Sequence, residues 1–324
     1  MAIVVVALAG CTSGGSPPRH GSPTGGDGTH ATANLAPLLA GLAPSASRGP
    51  VYYLALGDSL SRGIQPGWAG ADVPTSQGYP DQLAALLRQA RRPGPAPGDR
   101  PPLAALQLVQ LGCSGETTST MIHGGICPYR AGSQLAQAVG FLGAHRGEVA
   151  LVTIDIGAND PNSCVLGVRP STAFGCLLRR VPRIEANLSE ILAKLRAAAG
   201  RRVLIVGMTY YVPELGLWRT GRTGRLIAAV SDTFAAVVNK LLAARFRAHG
   251  ARVADVFAAF SSLDFGRAIA GPGRFRLTGH APPNVVTVCA LTWMCATSPQ
   301  GPNEHPNAAG YRRIAGAFWR AITG

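Results

Sequence analysis

Lysine is nearly missing from this 324-residue chain: Lys194 and Lys240 are the only two, so the formal charge of +14 rests on arginine. Nucleic-acid binding needs positive charge gathered on one face, ideally with aromatic side chains for stacking. Here the arginines stand in short pairs spread along the chain: Arg91-Arg92, Arg179-Arg180, Arg201-Arg202 and Arg312-Arg313. That dispersal argues against a nucleic-acid partner and describes a solvated surface, with weak attraction to anionic membrane or cell-wall polymers as the alternative. There is no Cys-x-x-Cys and no Cys/His cluster, so no zinc framework is written into the chain. There is no Gly-x-Ser-x-Gly either, which argues against the nucleophile elbow of the α/β-hydrolase fold. No internal repeat is found.

The apolar opening, Ala2 to Leu8, is too short to span a bilayer. It runs into Leu8-Ala9-Gly10-Cys11 and then Thr12-Ser13-Gly14-Gly15, which resembles a bacterial lipoprotein signal with Cys11 as the lipidated residue. The usual basic n-region is absent, so the true start is expected elsewhere. An ordinary secretory peptide with an incidental cysteine is the alternative. Two or more acyl chains on one cysteine would anchor the protein stably, each buried methylene contributing about 0.8 kcal/mol. Residues 12–48, rich in Gly, Pro, Ser and Thr without an apolar period, read as a disordered tether with a reach of roughly 35 Å. One large domain is expected over 49–324, with the signal segment at 1–11.

Six further cysteines remain: Cys113, Cys127, Cys164, Cys176, Cys289 and Cys295. An even number in an exported chain reads as disulfides. They fall into three close couples, so the expected bridges are 113–127, 164–176 and 289–295, each contributing about 2–4 kcal/mol.

Apolar runs and helical periods alternate along the domain. Strands are expected at 51–57, 103–111, 149–156, 202–208 and 252–257, and helices at 77–91, 134–145, 181–199, 226–249 and 308–322. Strands that alternate with helices imply a mostly parallel sheet covered on both faces. Loops at the carboxyl ends of such strands are where ligand crevices lie.

Tyr52-Tyr53-Leu54-Ala55-Leu56-Gly57-Asp58-Ser59 delivers a serine to one such end. Ser59 is a candidate nucleophile, the alternative being a turn whose hydroxyl caps a following helix. Gly112-Cys113-Ser114-Gly115 follows the second strand, Gly157-Ala158-Asn159-Asp160 the third, and Glu304-His305-Pro306-Asn307 precedes the last helix. A serine, a flexible glycine backbone, an amide and an imidazole are the groups that acyl transfer requires. Asp58 and Asp160 read as structural acceptors that fix their loops. His123, His145, His249 and His280 have no motif around them.

In their order these segments resemble the sequence blocks of the GDSL, or SGNH, hydrolase family: Gly57-Asp58-Ser59-Leu60, then Gly115, then Gly157-x-Asn159-Asp160, then His305-Pro306 with Gly310. With the paired cysteines the chain is similar to secreted actinobacterial esterases and lipases of that family. The resemblance implies a three-layer α/β/α sandwich, flavodoxin-like, with a five-stranded sheet in the order 2-1-3-4-5, and neither metal nor organic cofactor. It implies Ser59 as nucleophile, His305 as base, and an oxyanion hole made by the amides of Ser59 and Gly115 and the side chain of Asn159. The family usually places an aspartate two or three residues before the histidine, and here Asn303 and Pro302 stand there. The expectation is a dyad in which a main-chain carbonyl near Pro302 orients His305, with the adjacent Glu304 as rival acceptor and Asn303 also among the possible orienting residues.

The function expected is an extracellular, lipid-anchored, monomeric carboxylic ester hydrolase, an esterase or lipase acting on a small acyl ester or lipid. A carbohydrate O-acetyl esterase, an acyltransferase, and a non-catalytic lipoprotein that binds acylated envelope polymers are the alternatives. The stretch from Pro282 to Cys295, with Trp293 and Met294, reads either as acyl-pocket lining or as core packing.

Overall fold

The sheet forms where the chain is most continuously apolar. In the computed structural model, which describes residues 34–42, 49–90, 102–161, 164, 170–271 and 279–324, Val51–Gly57 makes β1. Gln65–Pro66 (β2) and Asp72–Val73 (β3) form a small antiparallel hairpin. Leu106–Gln110 (β4), Val149–Asp155 (β5), Leu204–Met208 (β6) and Arg252–Ala254 (β7) complete the list of principal strands. Every residue of β5 and β6 is buried, as a parallel strand covered on both faces requires.

The main sheet runs β4-β1-β5-β6-β7 with all pairs parallel, which is the expected order 2-1-3-4-5. The chain steps outward from β1 to β4 and then returns to the other side of β1 at β5. The connections after β1 and β5 therefore leave on opposite faces, and the crevice between them opens at the carboxyl ends of these two strands. Tyr79–Gln89 and Ala308–Thr323 pack together in one helical layer; Gln134–Ala144, Pro170–Ala199 and Arg222–Ala248 pack in the other. Asn307 caps Ala308–Thr323, its side chain accepting from the amides of Ala309 and Gly310, and the stripe Tyr311, Ile314, Ala315, Phe318 and Ile322 is buried at the spacing of one helical face.

Three segments differ from the sequence reading. Residues 34–42 fall in the stretch read as tether, yet Ala36–Leu39 is helical and Leu35 and Leu38 are buried in the main core; two leucines three apart are too few to register as a period. The helix expected from 181 begins at Pro170 and carries Pro182 inside it, a residue that normally ends helices. The strand expected over 252–257 stops at Ala254, because the Asp255 side chain accepts from the Ala258 amide and starts a short helix, Val256–Ala259. Residues 1–33, which include Cys11 and most of the tether, lie outside the described residues.

The cysteines pair as expected, 113–127, 164–176 and 289–295. Val285, Cys289 and Cys295 are fully buried in a satellite cluster with Ala281 and Trp218, so this part of the 282–295 stretch is core.

Candidate active site

β1 ends at Gly57, whose φ of +138° suits glycine, and a Cβ there would collide with the main-chain carbonyl of Asp155. Residues 58–63 are turns, not a helix, so the Ser59 hydroxyl has no helix to cap. Asp155, at the end of β5, holds this turn from below. Its Oδ2 accepts from the amides of Asp58 and Ser61, both at 3.2 Å, and its Oδ1 accepts from the Tyr79 hydroxyl. Asp58 Oδ1 accepts from the Leu60 amide at 2.9 Å and Oδ2 from the Tyr210 hydroxyl at 3.2 Å. Gln134 clamps the other side, its Oε1 taking the Gly57 amide while its Nε2 donates to the Gly57 carbonyl and to Glu116. Ser59, half-buried, is thus carried by an over-determined turn.

Two carboxyls, Asp58 and Asp155, are buried side by side under that turn. Burial, and then the nearby charge of Asp58, raises Asp155 well above the ordinary carboxylate range; burial also raises Asp58, opposed by the Leu60 amide and by hydrogen bonds from Asp155 and Tyr210. Two carboxylates in contact cannot both ionise cheaply. Of the two, Asp155 is the one pushed further towards its protonated form.

The second and third blocks are sewn together. Gly115 has φ +81°, and a Cβ there would meet no protein atom within 4 Å, so its backbone is open to whatever enters the crevice. Asn159 Nδ2 donates to the carbonyl of the next residue, Glu116, at 3.0 Å. Asp160 accepts from the Thr118 amide at 2.9 Å and from its hydroxyl. The structural roles expected of Asp58 and Asp160 match these bonds. A cleft of about 490 Å³ lies between this block, the turn after Ser59 and the hairpin, lined among others by Arg62, Ile64, Asp72, Ser114 and Tyr129. Among the described residues no group of three or more His, Cys, Asp or Glu is placed to hold a metal ion.

The loop before the last helix returns to the same edge. The Tyr311 hydroxyl donates to the Ile64 carbonyl at 2.7 Å. His305 is buried. Asn303 Oδ1 accepts from the His305 main-chain N–H and faces Nδ1, each at 2.9 Å. Asn303 Nδ2 donates to Asp72 Oδ1 at 2.8 Å, and Asp72 Oδ2 lies 3.6 Å from Nδ1. The main-chain N–H and the Asp72 carboxylate together fix which way the amide points. An oxygen on Nδ1 places the ring proton there and leaves Nε2 with its lone pair.

This corrects the expected dyad: Nδ1 is held by the Asn303 side chain and approached by Asp72, not held by a main-chain carbonyl near Pro302. Glu304 is exposed, and its main-chain carbonyl accepts from the Tyr211 hydroxyl at 2.7 Å. Sequence reasoning held Asn303 among the possible orienting residues, beside Pro302 and Glu304, and missed Asp72, Asp155 and Gln134. The only signal for Asp72 was negative, the lack of an aspartate ahead of the histidine.

A serine turn and a histidine loop at the carboxyl edge of a five-stranded parallel sheet suit an ester hydrolase built on this sandwich. The chain belongs to the GDSL-like Lipase/Acylhydrolase family, whose sequence profile matches residues 55–313. Solved structures similar to it include the extracellular lipase from Streptomyces rimosus, at 20% identity over 84% of this chain and 99% of that one, with a TM-score of 0.49. The lipase Lip_vut3 from a goat rumen metagenome is 19% identical over 85% and 98%, with a TM-score of 0.48. The acetylxylan esterase Axe2 from Geobacillus stearothermophilus is 18% identical over 85% and 94%, with a TM-score of 0.47. No curated protein sequence matches the chain.

Proposed function

We propose that the protein is an extracellular, lipid-anchored carboxylic ester hydrolase that works through an acyl-enzyme on Ser59, with His305 as general base. The observation that carries this reading is the environment of His305: a buried imidazole whose Nδ1 faces an amide oxygen, leaving Nε2 to take a proton. A serine hydroxyl attacks an ester carbonyl only as its proton leaves, and the same imidazole then protonates the departing alcohol. Negative charge grows on the former carbonyl oxygen. The amides of Ser59 and Gly115 and the side chain of Asn159 receive it, a single donor of this kind being worth about 10²–10³ in rate. Water attacks the acyl-enzyme on the same path and frees the acid.

Three disulfides support an oxidising compartment, in keeping with export, and Cys11 is the residue we assign to the anchor. The substrate is a small acyl ester or a lipid, and the protein acts as a monomer. Ser59→Ala is expected to abolish both turnover of short p-nitrophenyl esters and labelling by a fluorophosphonate, while Cys11→Ala moves the protein from the membrane fraction to the medium. Labelling that persists in Ser59→Ala sinks the nucleophile assignment; a Cys11→Ala protein still in the membrane fraction sinks the anchor.

A further inference from the structure

His305 faces a carboxylate that no block of the family pattern places there. Building on the ester-hydrolase reading above, we propose that Asp72 supplies the negative charge of the catalytic centre. It acts on His305 through the Asn303 amide, as a positioning residue delivered by the β2–β3 hairpin instead of by the loop that carries the histidine.

The hairpin is built to hold that position. Pro66 pairs with Asp72 across it, and the Gly67 amide donates to the Ala71 carbonyl at 2.7 Å. It is fastened to the histidine loop at several points. Trp293 Nε1 donates to Gln65 Oε1 at 3.2 Å, and Gln300 Nε2 donates to the Trp68 carbonyl at 2.7 Å. Gly70, at φ +88°, lies so close to the Pro299 carbonyl that a Cβ would collide with it. Trp293 is itself tied to the same loop, its carbonyl accepting from the Asn303 amide and its amide donating to the His305 carbonyl. Asp72, though 44% exposed, is therefore set against His305 by the hairpin's own anchors.

The division of labour follows from charge. The Asn303 oxygen fixes the ring tautomer but is neutral. When Nε2 takes the Ser59 proton, positive charge spreads to Nδ1–H, and Asp72 Oδ2 at 3.6 Å is the anion that meets it. The Asp72–Asn303 bond also polarises the amide so that its oxygen accepts more strongly.

The test is a charge exchange. Asp72→Asn keeps an oxygen to accept from Asn303 Nδ2 and removes only the charge. It is expected to lower kcat about 10- to 100-fold, the difference between a charge-assisted and a neutral hydrogen bond, with KM within about twofold because the charge acts in the transition state. Asn303→Asp in that background restores a carboxylate on Nδ1, with the new amide at 72 as its donor, and recovers kcat to within about fivefold of the parent. An Asp72→Asn protein with parental kcat overturns the proposal. So does one whose loss the second substitution fails to recover while its melting temperature matches the parent. Ser59→Ala measured in parallel separates the two readings: a dead Ser59→Ala beside a fully active Asp72→Asn rejects this inference and leaves the ester-hydrolase reading intact.

Discussion

Removing the Asp155 carboxyl tests whether the nucleophile turn is held from below. In Asp155→Ala the Asp58 amide keeps an acceptor, the main-chain carbonyl of residue 155 at 3.1 Å. The Ser61 amide loses its partner, and the Tyr79 hydroxyl keeps only a long contact of 3.5 Å to Thr153. Tyr79 is locked by stacking on Phe318, ring centroids 4.6 Å apart, so its hydroxyl cannot swing to water. Two buried groups left unpaired cost about 1–3 kcal/mol each, giving an expected loss of about 2–6 kcal/mol on the same scale. Asp155→Asn should lose far less, because its side-chain oxygen keeps the two main-chain donors and its amide can donate to the Tyr79 hydroxyl, which also accepts. The two variants also separate by pH. Native Asp155 holds its proton above the ordinary carboxylate range, whereas the unfolded chain releases it near pH 3.9. The stability of the parent therefore declines as pH rises from about 4 towards the native value. Asparagine titrates in neither state, so the deficit of Asp155→Asn is largest near pH 4 and shrinks as pH rises. Urea denaturation at pH 4.5 and pH 8 measures both. An Asp155→Ala loss below 1 kcal/mol, or an Asp155→Asn deficit that grows with pH, would refute the account.

Gly115→Ala is expected to cost about 1–2 kcal/mol from its positive φ and to lower kcat/KM more than tenfold, since the new methyl meets no protein atom and can disturb only what approaches from the crevice; parental kcat/KM would remove Gly115 from the oxyanion assignment. Reduction of the three disulfides should lower both the melting temperature and turnover, because Cys113 stands two residues before Gly115 and the 289–295 bridge closes the segment that leads to His305. Unchanged values after complete alkylation, checked by mass spectrometry, would count against that coupling.

Much of this molecule is local in origin and so is legible in the chain. β1 is a contiguous apolar run that stops at Gly57, and a serine two residues on must emerge at the sheet's edge whatever surrounds it. The placement of Gly115, Asn159 and His305 in loops is legible for the same reason, since each lies in a short block beside a strand or helix whose period is written in adjacent residues. The cysteine couples are close enough in sequence for proximity alone to pair them. The group that orients His305 is of another kind. Asp72 and Asn303 are 231 residues apart, and Asp72 sits in a strand of two residues, too short to carry any alternation. Its place is set by where the hairpin docks, through Gln65, Trp68 and Gly70, on a loop from the far end of the chain. Asp155 is similar: in sequence it is the polar end of an apolar strand, and only the parallel pairing of β5 with β1 brings it under the Ser59 turn, where burial and the charge of Asp58 push it towards the protonated form. Contacts of this range depend on the summed geometry of the sheet and its crossovers, which no short window of residues contains.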